Sequence, residues 1–180
     1  ILEDLLFDMQ GSHKILRESL APIAAWLCNG DEAWNREVRS WVLKTNPEIH
    51  LRYGDPSRLP FDYRRDLLGA LVNRYSDRTR VWIEDNPESL KRFADSSLSK
   101  DISGFILNSS LSADLRCVLL LLVRHGRIVE CLEAALGVFQ NPREDVDLKC
   151  YAAATVRDIG DRESCKRLWR IASGFTDIPS

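Results

Sequence analysis

The sequence has little of what most enzymes are recognised by. It has three histidines, His13, His50 and His125, and they lie far apart. None of its nine glycines precedes a lysine, so the G-x-x-x-x-G-K-[ST] loop that cradles phosphate with backbone N–H groups is absent. The G-x-S-x-G, H-E-x-x-H and EF-hand spacings are absent as well, and no catalytic, cofactor-binding or metal-ligating set is assigned. The five cysteines, Cys28, Cys117, Cys131, Cys150 and Cys165, include no C-x-x-C pair and have no histidine at zinc spacing. They are expected to be free and mostly buried thiols in a reducing compartment. The longest telling apolar run, Cys117 to Val123, is far shorter than the 18 or so residues a membrane span requires, so a cytoplasmic protein is expected.

Charge of one sign is lacking too. The net charge is −2, with −3 over residues 1–90 and +1 over 91–180. A strongly basic nucleic-acid binder is thereby excluded, and any basic surface must be local. With 44% apolar and 29% charged residues, the 180-residue chain can build a substantial globular core. The chain starts at Ile1 without a secretory pattern, and it is read as a fragment of a longer cytosolic protein.

The apolar spacing present is helical. Trp34, Val38, Trp41 and Val42 share one face of a helix that Asn46-Pro47 should end. Tyr63, Leu67, Leu68, Leu71, Val72 and Tyr75 form a second stripe, entered through Pro60 and Asp62. Shorter helices are predicted for residues 78–85, 87–94 and 100–108, with Asn86-Pro87-Glu88 as a start signal. A helix over 13–27 should be kinked by Pro22, or divided near Ser19 to Ala21. Sustained period-two alternation is missing, so no sheet is expected.

An internal repeat is present. The stretch "DLRC" at Asp114 to Cys117 returns as "DLKC" at Asp147 to Cys150, 33 residues later, and Asn108, Val123 and Arg124 match Asn141, Val156 and Arg157. Beyond them Leu132, Ala135, Leu136 and Phe139 correspond to Cys165, Leu168, Trp169 and Ala172. Helix pairs at such a period indicate an α-solenoid. The expected fold is all-α, a right-handed stack of antiparallel helix pairs. We read residues 1–180 as one helical domain, with irregular helices to about 108 and repeats at 109–140 and 141–174. The stretch "DVDLKCYAAATVRDIGD" resembles a short HEAT-like repeat, with Leu148-Lys149, Ala152-Ala153, Val156 and Gly160-Asp161 in its characteristic places. Because about three units are needed for a free-standing array, the helices before 108 should complete or cap the stack.

Few side chains suggest binding or chemistry. Arg162, Lys166 and Arg170 recur every fourth residue, with Arg167 beside them, giving either a phosphate-binding stripe or a solvated helix face. The recurring Asp114/Arg116 and Asp147/Lys149 suggest a charge ladder between repeats. A Cys117–His125 dyad is two turns apart, but leucines around the thiol should raise its pKa. Of five tryptophans, Trp26, Trp34, Trp41 and Trp169 are expected in the core, whereas the pattern assigns Trp82 no face and leaves it a candidate binding residue.

Two further stretches, "LAPIAAWL" at Leu20 to Leu27 and "EIHLRYGDPSRLPFDYRRDLLGALVNRY" at Glu48 to Tyr75, complete a resemblance. With the HEAT-like pair they resemble the helical region that follows the nucleotide-binding module in bacterial STAND-class NTPases with a NACHT-like core. The resemblance implies a non-enzymatic sensor, scaffold or interaction module in bacterial signalling or anti-phage defence. Its partner would be a protein or another domain of the same chain, and nucleotide chemistry would occur elsewhere in the parent. Two other readings are a HEAT-like nucleic-acid binder using Arg162, Lys166, Arg167 and Arg170, and a HEAT-like DNA glycosylase. The latter needs an electropositive concave face that the overall charge disfavours.

Overall fold

A computed structural model describes residues 2–76 and 87–174. Eleven α-helices account for most of the described residues, and the fold is all-α apart from one small hairpin. None of these helices is long and apolar enough to cross a membrane. The chain forms two compact units where the sequence pattern had suggested one domain. The described part of the first comprises residues 2–74 and 87–93, and that of the second 75–76 and 94–174.

The first unit begins with α1 (Leu2–Leu6) and the antiparallel strands β1 (Phe7–Gln10) and β2 (His13–Leu16). This hairpin corrects both the expected absence of strands and the expected helix over 13–27. Its two-residue Gly11-Ser12 loop is the cause, since Gly11 takes a φ of 63° that other residues rarely adopt. Four-residue strands are too short to display alternation. Among its described side chains the pair Phe7 and Leu16 is buried, with Phe7 set edge-on to Trp41 at 6.1 Å.

A 3₁₀ turn at Glu18–Leu20 leads into α2 (Ala21–Leu27), so the chain divides at Ser19 to Ala21 and Pro22 occupies the first turn, where no N–H is missed. Helix α3 (Ala33–Thr45) starts in a capping box between Glu32 and Asn35 and ends at Asn46 before Pro47. After α4 (Ile49–Arg52) comes α5 (Phe61–Tyr75), whose predicted stripe from Tyr63 to Tyr75 is buried throughout. Arg74 joins α5 to the end of α3 by donating to the Thr45 carbonyl at 2.8 Å, and it pairs with Glu48 at 3.3 Å. Helix α6 (Pro87–Phe93) opens with Pro87 and an acid in its first turn. The helix expected over 78–85 and Asn86 lie outside the described residues.

The second unit repeats itself element by element. It contains α7 (Ser99–Leu107), α8 (Ala113–Gly126), α9 (Leu132–Gln140), α10 (Val146–Ile159) and α11 (Arg162–Gly174). Helices α7 and α9 have nine residues each and α8 and α10 fourteen each, with every boundary displaced by 33. The 3₁₀ turns at Ser96–Leu98 and Val129–Cys131 obey the same displacement. So do the connections. Asn108 accepts from the Ser110 N–H at 3.0 Å and Asn141 from the Arg143 N–H at 3.1 Å, and N-caps follow at Ser112 and Asp145. The recurring unit therefore starts near Ser96, earlier than the boundary at 109 read from the sequence, and α11 begins a third copy.

Helix α8 packs against both α7 and α10, and α9 against α7, α10 and α11. Helix α8 is therefore covered on more than one side. Leu120 is fully enclosed, and its carbonyl accepts from Thr155 Oγ1 at 3.3 Å. Alanine at 152 and 135 stands where the preceding copy has Leu119 and Ile102, and all four are buried. The layers thus tolerate exchange between bulk and close approach.

Two glycines in the turns are there for space. Gly160 has an ordinary φ of −74°, but a Cβ on it would lie 2.4 Å from the Val156 carbonyl oxygen. A Cβ on Gly126 would lie 2.2 Å from the Ala94 Cβ, while the left-handed turn residue is Arg127 with φ 52°. Gly126→Ala is expected to destabilise the chain by about 1–3 kcal/mol. Urea titration should show Ala94→Gly recovering most of that loss in the double variant.

Candidate functional site

The candidate basic residues all lie on α11, which Asp161 caps by accepting from the Ser164 N–H at 2.8 Å. The helix divides them. Arg162, Lys166 and Arg170 line one side with Cys165 and Trp169, around a surface cup of about 370 Å³. Arg167 points to another side, where it makes a two-pronged pair with Glu133 of α9 at 2.5 and 3.0 Å. That pair raises the Arg167 pKa and lowers that of Glu133, but both groups are exposed and the pair adds little stability. Glu163 lies 3.5 Å from Lys166 and 3.8 Å from Arg170, partly offsetting the stripe. Trp82 lies outside the described residues.

Three tryptophans depart from expectation. Trp169 is 74% exposed, Trp26 56% and Trp34 43%, while Trp41 is half-buried against Phe7. Apolar periodicity marks the face of a helix that gains from cover, but it says nothing about whether a neighbour is present. Trp169 shows this most clearly, because α11 contains no fully buried residue.

The expected charge ladder is replaced by something deeper. Arg116 turns inward, donates to the Ile106 carbonyl at 2.6 Å and grips Glu144 with both terminal nitrogens at 2.7 and 2.8 Å. Asn141 adds a donor to Glu144 at 3.1 Å. These bonds hold the Glu144 carboxyl below its ordinary range, led by the bonds from Arg116. Lys149, the counterpart of Arg116 in the next copy, donates to the Pro142 carbonyl at 3.3 Å. Asp114 and Asp147 remain exposed. An arginine selects a buried carboxylate with a planar fork, which the point charge of lysine cannot match.

A second cluster, in the first unit, has no motif to announce it. His50 Nε2 lies 3.0 Å from the Tyr63 hydroxyl, which donates to the Arg39 carbonyl at 3.3 Å. Arg39 stands over the Tyr63 ring at 5.8 Å and donates to the Cys28 carbonyl at 2.7 Å and to the Gly30 carbonyl. Burial pushes the Cys28 thiol up to about 12 and the Tyr63 hydroxyl up as well. Burial, reinforced by the Arg39 charge, lowers His50 to about 4. At pH 7 the thiol is therefore protonated and the imidazole neutral, so the cluster ties α2, α3, α4 and α5 together and offers no activated nucleophile. The four residues span 36 positions. Their one sequence signal was a charged residue, Arg39, between the buried Val38 and Val42.

The chain matches no family model, no curated protein and no solved structure. Its chemistry must therefore be read from its own residues. Cys117 is half-buried, and burial, aided by Asp114, Asp145 and Asp147, pushes its thiol up to about 12, opposite to what a nucleophile requires. All five cysteines are free, with Cys28 and Cys131 buried, Cys117 and Cys165 half-buried and Cys150 exposed, so fewer are buried than expected. Among the described residues no three His, Cys, Asp or Glu side chains converge in a way that could hold a metal ion.

Proposed function

We propose that the chain is a non-catalytic helical-repeat module, a HEAT-like α-solenoid segment with right-handed stacking, that binds a protein partner or another domain of its own parent. The parent would be a bacterial signalling NTPase of the STAND class with a NACHT-like core, acting in the cytoplasm and contributing to anti-phage defence. The observation that carries this reading is the recurrence of helix boundaries, Asx turns and N-caps at one interval of 33 residues from Ser96 onward. Stacked equivalent helices leave extended faces for recognition, and their stability comes from neighbour contacts. The STAND assignment rests on the sequence resemblance alone.

Native mass spectrometry of the full-length parent with candidate phage proteins tests the proposal, together with deletion of residues 96–174. A stable complex that is lost on deletion is expected. Absence of any complex, with parent activity unchanged by the deletion, would end the proposal.

One observation favours a second reading. Exposed Trp169 among Arg162, Lys166 and Arg170 combines a stacking ring with cations, the pairing used by single-strand nucleic-acid binders. Such binding should weaken steeply between low and moderate salt. Labelled DNA and RNA that show no affinity at low salt would exclude it.

A further inference from the structure

We infer that the side of α11 carrying Trp169 is the docking face for an acidic amphipathic helix, which would continue the layer formed by α7, α9 and α11. The inference rests on the helical-repeat reading and adds the partner's chemistry to it.

The geometry follows from equivalent positions. Helix α9 lies between α7 and α11, and its Ala134, Leu136 and Val138 are buried. From the same helix Glu133 reaches forward to Arg167 of α11. Displacing these positions by the repeat of 33 converts Glu133 to Lys166 and Leu136 to Trp169. The side of α11 that carries them is thus the one that in α9 meets the next helix. Helical geometry agrees, since at about 100° per residue Trp169 lies roughly 200° from Arg167, the residue turned toward α9. Yet Trp169 is 74% exposed where its counterpart Leu136 is 1% exposed. Covering a tryptophan in a desolvated seat commonly makes it an energetic anchor.

Charge identifies the occupant. Three cations, Arg162, Lys166 and Arg170, face one carboxylate, Glu163, around the cup. In the layer below, Glu133 is answered by Arg167, so at the next interface Lys166 calls for an acid in return. A second copy of α11 would bring the same excess of positive charge and be repelled. An acidic helix with an apolar stripe satisfies both the ring and the cations.

The test uses the full 180-residue chain and a labelled, hydrocarbon-stapled peptide with the sequence of residues 162–174 in which Arg162, Lys166, Arg167 and Arg170 are each replaced by Glu. Fluorescence anisotropy at low salt should show saturable binding. Affinity should fall about tenfold or more in Trp169→Ala and in the double variant Lys166→Glu/Arg170→Glu. Arg167→Ala, on the other side of the helix, should bind as the parent sequence does. Circular dichroism confirms that each variant remains folded, as expected for exposed positions.

Equal binding of the unsubstituted basic peptide, or absence of binding by the acidic one, overturns the inference. So does a single-stranded oligonucleotide that displaces the acidic peptide with higher affinity, or a dimer in sedimentation that Trp169→Ala dissolves. If a partner of the parent binds and is unaffected by these variants, this face is wrong and the module reading stands. If the peptide binds as expected but deletion of 96–174 leaves the parent unchanged, the face stands and the module reading falls.

Discussion

Arg116→Ala is expected to destabilise the second unit by about 3–5 kcal/mol. The side chain is almost wholly enclosed, and its three hydrogen bonds go to the Ile106 carbonyl and to both oxygens of Glu144. Truncation removes the cation and leaves a largely enclosed carboxylate with the Asn141 amide but without its guanidinium partner, so the cost is chiefly the lost charge pairing. Glu144→Gln should cost less, because the amide still accepts one bond from Arg116. Replacing both partners by apolar residues of similar size, Arg116→Met with Glu144→Leu, should recover most of the loss. Urea denaturation of these variants checks this, with the Arg116→Met and Glu144→Leu single variants added to close a double-mutant cycle. An additive cycle, with no coupling between the two positions, would show that the pair is not energetically joined.

The same pair responds to acid. The folded state depresses the Glu144 pKa, so its contribution is present above the unfolded value of about 4.5 and is lost as pH falls through the lower folded value.

Lowering the pH from 7.5 to 5.0 should remove about 2 kcal/mol of stability through His50 alone. His50 is buried against Tyr63 and near Arg39, and its pKa falls from 6.5 to about 4 in the folded protein. The unfolded chain takes up this proton below 6.5, whereas the native protein resists until about 4. Stability from this group is therefore complete above 6.5 and declines through the interval down to 4. The full difference approaches roughly 3 kcal/mol. His50→Gln keeps a polar group beside the Tyr63 hydroxyl and does not titrate. The change in urea midpoint between pH 7.5 and 5.0 should shrink in this variant, and an unchanged slope would assign the acid sensitivity elsewhere.

These two clusters differ in how far the sequence could foretell them. Arg116 recurs with Lys149 in the repeat, which marked the position as basic. Its partner is 28 residues away in a connection whose counterpart in the preceding copy is Leu111, so no local pattern could name it. His50, Tyr63, Arg39 and Cys28 come from four separate segments and meet only when α2, α3, α4 and α5 assemble.

The hairpin from Phe7 to Leu16 shows another kind of difference. Its Gly-Ser loop was a legible turn signal, but four-residue strands with one buried pair give period two nothing to act on. The start of the repeat at Ser96 was hidden for a different reason. Leu98 and Cys131, or Ile102 and Ala135, share full burial without sharing identity. Packing constrains position and polarity more tightly than it constrains residue type.

By itself the sequence determined the helical character, the interior face of α5, the Val38 and Val42 part of that of α3, and the interval of 33 residues that organises the second unit. Each of these follows from short-range periodicity, because a helix brings residues three and four apart onto one side. Only the tertiary structure decided which sides acquired neighbours. It enclosed Leu120, turned Arg116 inward and left Trp169 uncovered beside three cations. Amphipathic spacing records a preference for burial, whereas burial itself depends on a second element arriving to provide it.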